Sequence, residues 1–169
     1  MKSRSLLTLL LALFAVSCFA DAGYARLFKS AGSSLSEQDQ KSIYSLLGLS
    51  SSSGRGHVFE GCPPAEFKVK IVDLNNDGTP EVFVTGGNTC TSGITGNSVW
   101  LFTKAAGSTY NMQLGFPATE YKILQGGSEG YPDIRFGDRG FCEPVWRWDG
   151  REYSHFKNIP SSPGGCNDR

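Results

Sequence analysis

Short runs of alternating hydrophobic and polar residues dominate the chain from residue 66 onward. Phe67, Val69 and Ile71 fall on one face of an extended segment, and Val82 and Val84 fall on one face of the next. A period of two residues is typical of half-buried β-strands. Further strands are predicted at residues 98–103, 109–114, 121–124, 133–136, 145–148 and 152–156, with Asp149-Gly150 as a hairpin turn between the last two. The pattern predicts an all-β fold of antiparallel sheets, either a sandwich or a propeller-like arrangement.

The part of the chain before residue 57 predicts only one short N-terminal helix. Ser36 is a favourable N-cap, acidic residues occupy the turn that follows it, and Gly48 can end the helix. The apolar stripe of this helix would consist of Ile43, Leu46 and Leu47. Residues 21–34 are predicted as a tether, and residues 50–56, which are rich in serine and glycine, as a flexible linker.

The N-terminus predicts export. Lys2 and Arg4 precede an apolar run that is too short to span a bilayer, which is typical of a secretory signal. Cleavage after Ala20 would release a periplasmic or secreted protein. Cleavage before Cys18 is the alternative, because the residues leading to Cys18 are similar to a bacterial lipobox, and it would give an outer-membrane lipoprotein anchored at that cysteine.

Composition and charge fit a single exported domain. The 169 residues, 39 % of them hydrophobic, suffice for one core. We expect a signal peptide at 1–20, a tether, helix and linker at 21–56, and a β domain at 57–169, with no membrane span. The chain carries 16 basic and 16 acidic side chains, and loss of the signal removes two basic ones. Without a basic run or an RNA-binding aromatic motif, we do not expect nucleic-acid binding.

The cysteines predict two disulfides. Cys18 would be removed with the signal or acylated, which leaves an even number in an oxidising compartment. No Cys-x-x-Cys pair occurs, so neither a zinc site nor a thioredoxin-like motif is expected. Three connectivities are possible for Cys62, Cys90, Cys142 and Cys166. Cys62 and Cys90 lie symmetrically about the turn near residue 76, which favours their pairing and leaves Cys142 for Cys166.

Oxygen-bearing side chains alternate in the turn between the first two predicted strands. Asp73, Asn75 and Asp77 precede a glycine, Glu81 follows, and the carbonyl of Thr79 can add a backbone oxygen. Ca²⁺ binds roughly six to eight oxygens, and oxygens at every second residue of a tight turn can point at one centre. The glutamate expected at the twelfth position of an EF-hand is absent, so the predicted site is a strand-flanked Ca²⁺ loop. The alternative is an Asx-rich hairpin turn without metal.

The chain also contains an internal repeat. Residues 80–84 recur 52 positions later as residues 132–136, and residues 99–102 are echoed by residues 145–148. A period of that size matches one blade of a propeller, so two propeller-like blades are predicted. Chance similarity between short β-patterns is the alternative.

No catalytic constellation is evident. The chain has two histidines, His57 and His155, and lacks a Gly-x-Ser-x-Gly elbow, a His-Glu-x-x-His motif and a phosphate-binding glycine loop. The remaining acids offer no preferred glycosidase pair. We therefore do not expect an enzyme.

Two features suggest a binding surface. Residues 86–97 form a loop of small polar residues that should be tethered by a disulfide and project from the calcium hairpin. Such a loop suits insertion into a partner's cleft, because tethering lowers the entropic cost of ordering. Trp146 and Trp148 share a strand face, where they form either core or an exposed contact surface.

The 73–81 loop resembles the calcium loop of FG-GAP and VCBS-type repeats, which implies a Ca²⁺-binding hairpin at the edge of a propeller-like blade. Taken together, these features resemble small exported bacterial immunity proteins and periplasmic lysozyme inhibitors; in the inhibitor family a Ser-Gly-x-x-Tyr loop enters the lysozyme active site. Ser92-Gly93 matches the start of that motif but Gly96 lies at the tyrosine position. In a different segment, we interpret Ser128-Glu129-Gly130-Tyr131 as a candidate variant of the motif.

The resemblance implies an exported calcium-binding protein that inhibits a protein partner such as a secreted peptidoglycan hydrolase. The alternative is a calcium-dependent carbohydrate or cell-wall binding module that uses Trp146 and Trp148 as stacking platforms.

Overall fold

The computed structural model describes residues 22–32, 34–52, 56–105, 107–137, 142–161, 163 and 165–166, so the predicted signal peptide and Cys18 lie outside it. The helices are α1 (Ala22–Phe28), α2 (Glu37–Leu46) and α3 (Thr89–Ser92), with a 3₁₀ turn at Gly93–Thr95. The strands are β1 (Ser50–Ser51), β2 (His57–Val58), β3 (Phe67–Val72), β4 (Glu81–Gly86), β5 (Ser98–Thr103), β6 (Asn111–Pro117), β7 (Glu120–Ser128), β8 (Tyr131–Gly137), β9 (Cys142–Trp148) and β10 (Tyr153–Pro160).

The strands form antiparallel sheets, as the alternating pattern predicts. The first sheet contains β3, β4, β5 and β6 in sequence order, and the second contains β7, β8, β9 and β10 in sequence order. A third, two-stranded sheet pairs β1 with β2. The prediction of a mostly β, antiparallel fold is therefore confirmed.

The two central strands of the first sheet, β4 and β5, are buried on both faces. Val82 and Val84 of β4 belong to a core that includes Ile43 of α2, whereas Phe83 belongs to a second core shared with the second sheet. The ring of Phe83 stacks on Tyr121 of β7 with 4.1 Å between ring centroids. The molecule therefore has three layers, in which the helices and the second sheet cover opposite faces of the first sheet.

The internal repeat falls on equivalent strands of the two sheets. Residues 80–84 lead into the second strand of the first sheet, and residues 132–136 lie in the second strand of the second sheet. Ile134 and Phe136 pack toward the first sheet just as Val82 and Val84 pack toward the helices. The two sheets are therefore stacked in the same orientation, with the front of one on the back of the other.

The N-terminal region differs from the expected tether and single helix. Helix α1 lies within residues 21–34, which the sequence predicts as a tether, and its Leu27 and Phe28 are buried in the core beside Ile43. A seven-residue helix with its apolar pair at one end is too short to show a helical period in the sequence. The predicted helix is confirmed as α2, where the Ser36 side chain accepts a hydrogen bond from the Asp39 amide.

Both predicted disulfides are present. Cys62 pairs with Cys90 and Cys142 pairs with Cys166. Disulfides indicate an oxidising, exported location. No helix in the described part of the chain is both long and apolar enough to cross a membrane.

The antiparallel order of the strands divides the loops between two ends of the molecule. The turns at residues 73–80, 129–130 and 149–152 lie at one end. The segment between β4 and β5, which we name the 87–97 loop, lies at the other end. The whole of β4, about 20 Å of extended chain, separates the 87–97 loop from the 73–80 turn. The loop therefore does not project from the 73–80 turn as expected, and the Cys62–Cys90 disulfide holds it separately.

Candidate functional site

The predicted calcium loop is a tight turn between β3 and β4. Val72 and Glu81 are the last paired residues of the two strands. Asn76 and Gly78 have φ angles of 59° and 85°, in the left-handed region that asparagine and glycine tolerate best. Side chains that accept hydrogen bonds can thus gather on the inside of the turn.

The side chains of the turn bind its own backbone. The carboxylate of Asp73 accepts hydrogen bonds from the amides of Asp77 and Gly78, at 3.2 and 2.9 Å. The carboxylate of Asp77 accepts one from the Asn75 side chain at 2.9 Å and one from the Thr79 amide at 2.6 Å. The hydrogen bond from Asn75, followed by that from Thr79, lowers the pKa of Asp77 below its ordinary value. The turn is therefore ordered by its own polar groups.

Glu81 is the fully buried acid of the turn. One carboxylate oxygen accepts a hydrogen bond from the Leu74 amide at 2.7 Å, and the other accepts one from the Tyr131 hydroxyl at 3.2 Å. Burial raises the pKa of Glu81, although both hydrogen bonds act in the opposite direction. None of the described basic side chains forms an ion pair with Glu81.

The donor chemistry of this turn suits a hard cation. The predicted donors, which lie together on one turn, are Asp73, Asn75, Asp77, Thr79 and Glu81. Each carboxylate oxygen carries two lone pairs, so an oxygen that accepts one N–H can also coordinate a cation. Within the described residues, no group of three or more His, Cys, Asp and Glu side chains is already gathered around one metal position. Calcium binding therefore stays a prediction.

Ser128 and Tyr131, predicted as partner contacts, lie beside this turn. They are paired across the β7–β8 hairpin, whose two turn residues are Glu129 and Gly130. The ring of Tyr131 packs on Trp148 at 4.5 Å between centroids, and its hydroxyl donates to Glu81. Burial, followed by the nearby charge of Glu81, raises the pKa of Tyr131, so the hydroxyl keeps its proton. Tyr131 thus joins the second sheet to the turn of the first.

The 87–97 loop at the opposite end is fixed by several contacts. The Cys62–Cys90 disulfide fastens its first helical turn, and the Asn88 side chain accepts hydrogen bonds from the amides of Cys90 and Thr91. The Thr91 hydroxyl in turn accepts a hydrogen bond from the Asn88 amide at 2.9 Å, which completes a capping box. The loop is therefore ordered without a partner.

The predicted contact residues Ser92 and Gly93 have different positions in this loop. Ser92 is only 2 % exposed, and its hydroxyl lies 2.8 Å from that of Ser98, so it supports the loop and does not face solvent. Gly93 has a φ of 58° and starts the 3₁₀ turn. Ile94, which sequence reasoning missed, follows and is 98 % exposed. The sequence does carry a signal, since Ile94 is the one large apolar residue in an otherwise small and polar segment.

Trp146 and Trp148 face the space between the two sheets. Both are partly buried against the second core, and Trp146 stacks on Phe116 of β6 with 5.3 Å between centroids. The outward side of the same strand carries Arg147, whose guanidinium binds both oxygens of Asp133 at 2.8 Å. Trp146 and Trp148 therefore pack against the core, as one of the two alternatives predicts, and do not form an exposed stacking platform.

The two histidines lie apart. His57 is buried, with its Nδ1 3.2 Å from the Tyr44 hydroxyl. Burial, followed by the charge of Arg26, lowers the pKa of His57. His155 is exposed on β10, where its Nε2 lies 3.0 Å from the Asn158 side chain.

Comparison of the chain with protein-family models, curated proteins and solved structures finds no match.

Proposed function

We propose that this chain is an exported binding protein that inserts the 87–97 loop into a cleft of a protein partner and inhibits it. The observation that carries the proposal is the ordered, protruding loop, which the Cys62–Cys90 disulfide, a capping box and the Ser92–Ser98 contact hold in place. A loop that is ordered before binding loses less conformational entropy on association. Localisation in the periplasm, or on the outer membrane through Cys18, is part of the same proposal.

The proposed partner is a secreted peptidoglycan hydrolase. The resemblance to exported immunity proteins and periplasmic lysozyme inhibitors suggests this class. The test is to add the mature protein to purified muramidases and cell-wall amidases and to follow the clearing of a peptidoglycan suspension. We expect at least one of the enzymes to be inhibited, with saturation near one equivalent. Absence of both inhibition and binding across such a panel would contradict the proposal. Retention on peptidoglycan without any enzyme would support the alternative of a cell-wall binding module.

We also propose that the 73–81 loop binds Ca²⁺. The side chains of Asp73, Asn75, Asp77 and Glu81 and the carbonyl of Thr79 would hold the ion. The support is a fully buried Glu81 with two neighbouring carboxylates and without a basic partner among the described residues. Calcium would supply the positive charge that offsets the repulsion between these acids.

Calcium binding can be measured directly. Calorimetric titration with CaCl₂ should give a binding heat for the unaltered protein and none for Asp73→Ala. At a calcium concentration of about 100 times Kd, ligand linkage predicts a stabilisation of about 2.7 kcal/mol, so EDTA should lower Tm. Asp149→Ala is the matched control, because Asp149 accepts backbone hydrogen bonds in another turn at the same end of the molecule. Identical, heatless traces from the unaltered protein and Asp73→Ala would disprove the calcium site.

The two sheets are proposed to be propeller-like blades. Their identical strand order and common orientation support this, since consecutive blades of a propeller also stack front to back.

A further inference from the structure

We infer that Ile94 is the residue by which the 87–97 loop anchors to its partner, and that the receptor for Ile94 is an uncharged, apolar pocket in a folded protein. This inference rests on the proposed binding function. It adds the anchoring residue and the chemistry of the surface that receives it.

The exposure of Ile94 sets it apart. The residue is 98 % exposed, whereas Leu46, Met112 and Phe156, the other exposed large hydrophobic residues in the described part of the chain, are between 39 and 44 % exposed. The ring of Phe156, for example, is covered by Arg147, whose guanidinium carbon lies 3.6 Å from the ring centroid. Ile94 therefore contributes almost no apolar burial to the fold and keeps nearly all of its apolar surface for a partner.

The backbone holds Ile94 in one place. Gly93 and Gly96, with φ angles of 58° and 68°, bracket the 3₁₀ turn, and the Gly96 amide donates to the Gly93 carbonyl at 3.1 Å. Asn97 fastens the outgoing chain through a hydrogen bond from its side-chain amide to the Ala118 carbonyl at 3.0 Å. A β-branched side chain on a fixed turn loses little further conformational freedom on binding.

The shape and charge of the loop define the receptor. A side chain with nearly all of its surface in water is the tip of a convex feature, so its binding site must be concave. No charged residue occurs between Glu81 and Lys104, and the neighbours of Ile94 within the turn are Gly93 and Thr95. The tip of the loop therefore carries no charge that the partner would have to neutralise. This favours a pocket lined by apolar side chains.

Two clefts border the loop, one beside Thr91 and the other beside Asn97, and extend the contact surface. One, of about 340 Å³, is lined by Phe59, Trp100 and Phe116. The other, of about 380 Å³, is lined by residues that include Lys68 and Glu120. An exposed anchor near two such depressions can enter a pocket while the rim of that pocket contacts the depressions. A central apolar anchor with a surrounding rim is the usual arrangement of a strong protein interface.

A site-specific crosslink tests the anchor. The full chain, carrying the photo-crosslinker p-benzoylphenylalanine at position 94, is produced in its native cells and irradiated, and the adduct is mapped by mass spectrometry. The same crosslinker at position 112 is the control, because Met112 is exposed at the beginning of β6, away from the loop. We expect a specific protein adduct from position 94 alone, mapped to a pocket lined by apolar side chains. No adduct, or an adduct on a flat charged surface, would overturn the inference.

An affinity measurement completes the test. Ile94→Ser should weaken binding to the purified crosslinked protein about tenfold or more, as expected for removing a buried aliphatic anchor, whereas Met112→Ser should change it less than twofold. Because Ile94 is exposed, Ile94→Ser should leave Tm unchanged. Unaltered affinity of Ile94→Ser would disprove the anchor even if the partner is a peptidoglycan hydrolase. A crosslinked protein of another class would disprove the proposed partner and leave the anchor intact.

Discussion

At the scale of single residues, His57 makes the stability of the fold depend on pH. Burial and the charge of Arg26 disfavour the imidazolium, so the pKa of His57 in the folded protein lies below its ordinary value of 6.5. The unfolded chain therefore takes up a proton first as the pH falls below about 6.5. Stability should be fully present above that pH and should decrease until the pH passes the lower pKa of the folded state.

Replacement of His57 isolates this effect. Urea unfolding from about pH 8 to about pH 5 should show a smaller loss of unfolding free energy in His57→Gln than in the unaltered protein. His155→Gln is the matched control, since His155 is exposed and is the only other histidine of the chain. If His57→Gln kept the full pH dependence, the burial of His57 would not be the cause.

Residue-level prediction from sequence succeeded where the relevant residues are neighbours in the chain. The predicted turn at residues 73–80 lies between two strands, because alternation and Gly78 define a turn locally, and calcium binding there stays a prediction. The hydrogen bond from Tyr131 to Glu81 joins residues that are 50 positions apart. The sequence singles out Tyr131 as a partner contact and carries no signal that it lies beside Glu81, so only the packing of the two sheets shows this contact.

At the scale of elements, the Cys62–Cys90 disulfide and the 87–97 loop act as one unit. The disulfide closes a sequence separation of 28 residues, and its removal should cost about 2–4 kcal/mol of unfolding free energy. The double variant Cys62→Ala/Cys90→Ala should also speed amide hydrogen exchange within the loop. Cys142→Ala/Cys166→Ala, with a separation of 24, is the matched control that should lose comparable stability without faster exchange in the loop. Equal loop exchange in the two double variants would contradict the coupling.

The elements themselves were predictable to different degrees. Strands with an alternating pattern were found near their observed positions, and the symmetry of Cys62 and Cys90 about a hairpin gave their pairing correctly. Strand β7 extends to Ser128, beyond the predicted 121–124, because Gly126 and Gly127 carry no side chains that could show a period. Helix α1 was missed for the related reason that its burial depends on α2 and the first sheet.

At the scale of the whole molecule, the two stacked sheets differ at equivalent positions of the repeat. These positions are apolar where they face the other sheet and charged where they lie on the outer side. Phe83 and Leu101 lie between the two sheets, and the repeat aligns them with Arg135 and Arg147 on the outer side of the second sheet. Arg147 pairs with Asp133 and Arg135 pairs with Glu143 there. A charged outer face ends a stack of similar sheets in the way that polar capping repeats end a solenoid.

Exchanging residue types between equivalent positions tests this view of the repeat. Leu101 is fully buried, so Leu101→Arg would place a charge between the sheets without a partner, at a cost of several kcal/mol, and should abolish the cooperative unfolding transition. Arg147→Leu changes a partly exposed side chain and should keep the fold. It should lose less unfolding free energy than Leu101→Arg, and this loss should come from removal of the ion pair with Asp133. Urea unfolding followed by circular dichroism measures both. The two positions are equivalent in the sequence repeat. Equal losses of unfolding free energy in the two variants would therefore mean that the sheets do not stack front to back. Front-to-back stacking requires that Leu101→Arg lose much more unfolding free energy than Arg147→Leu.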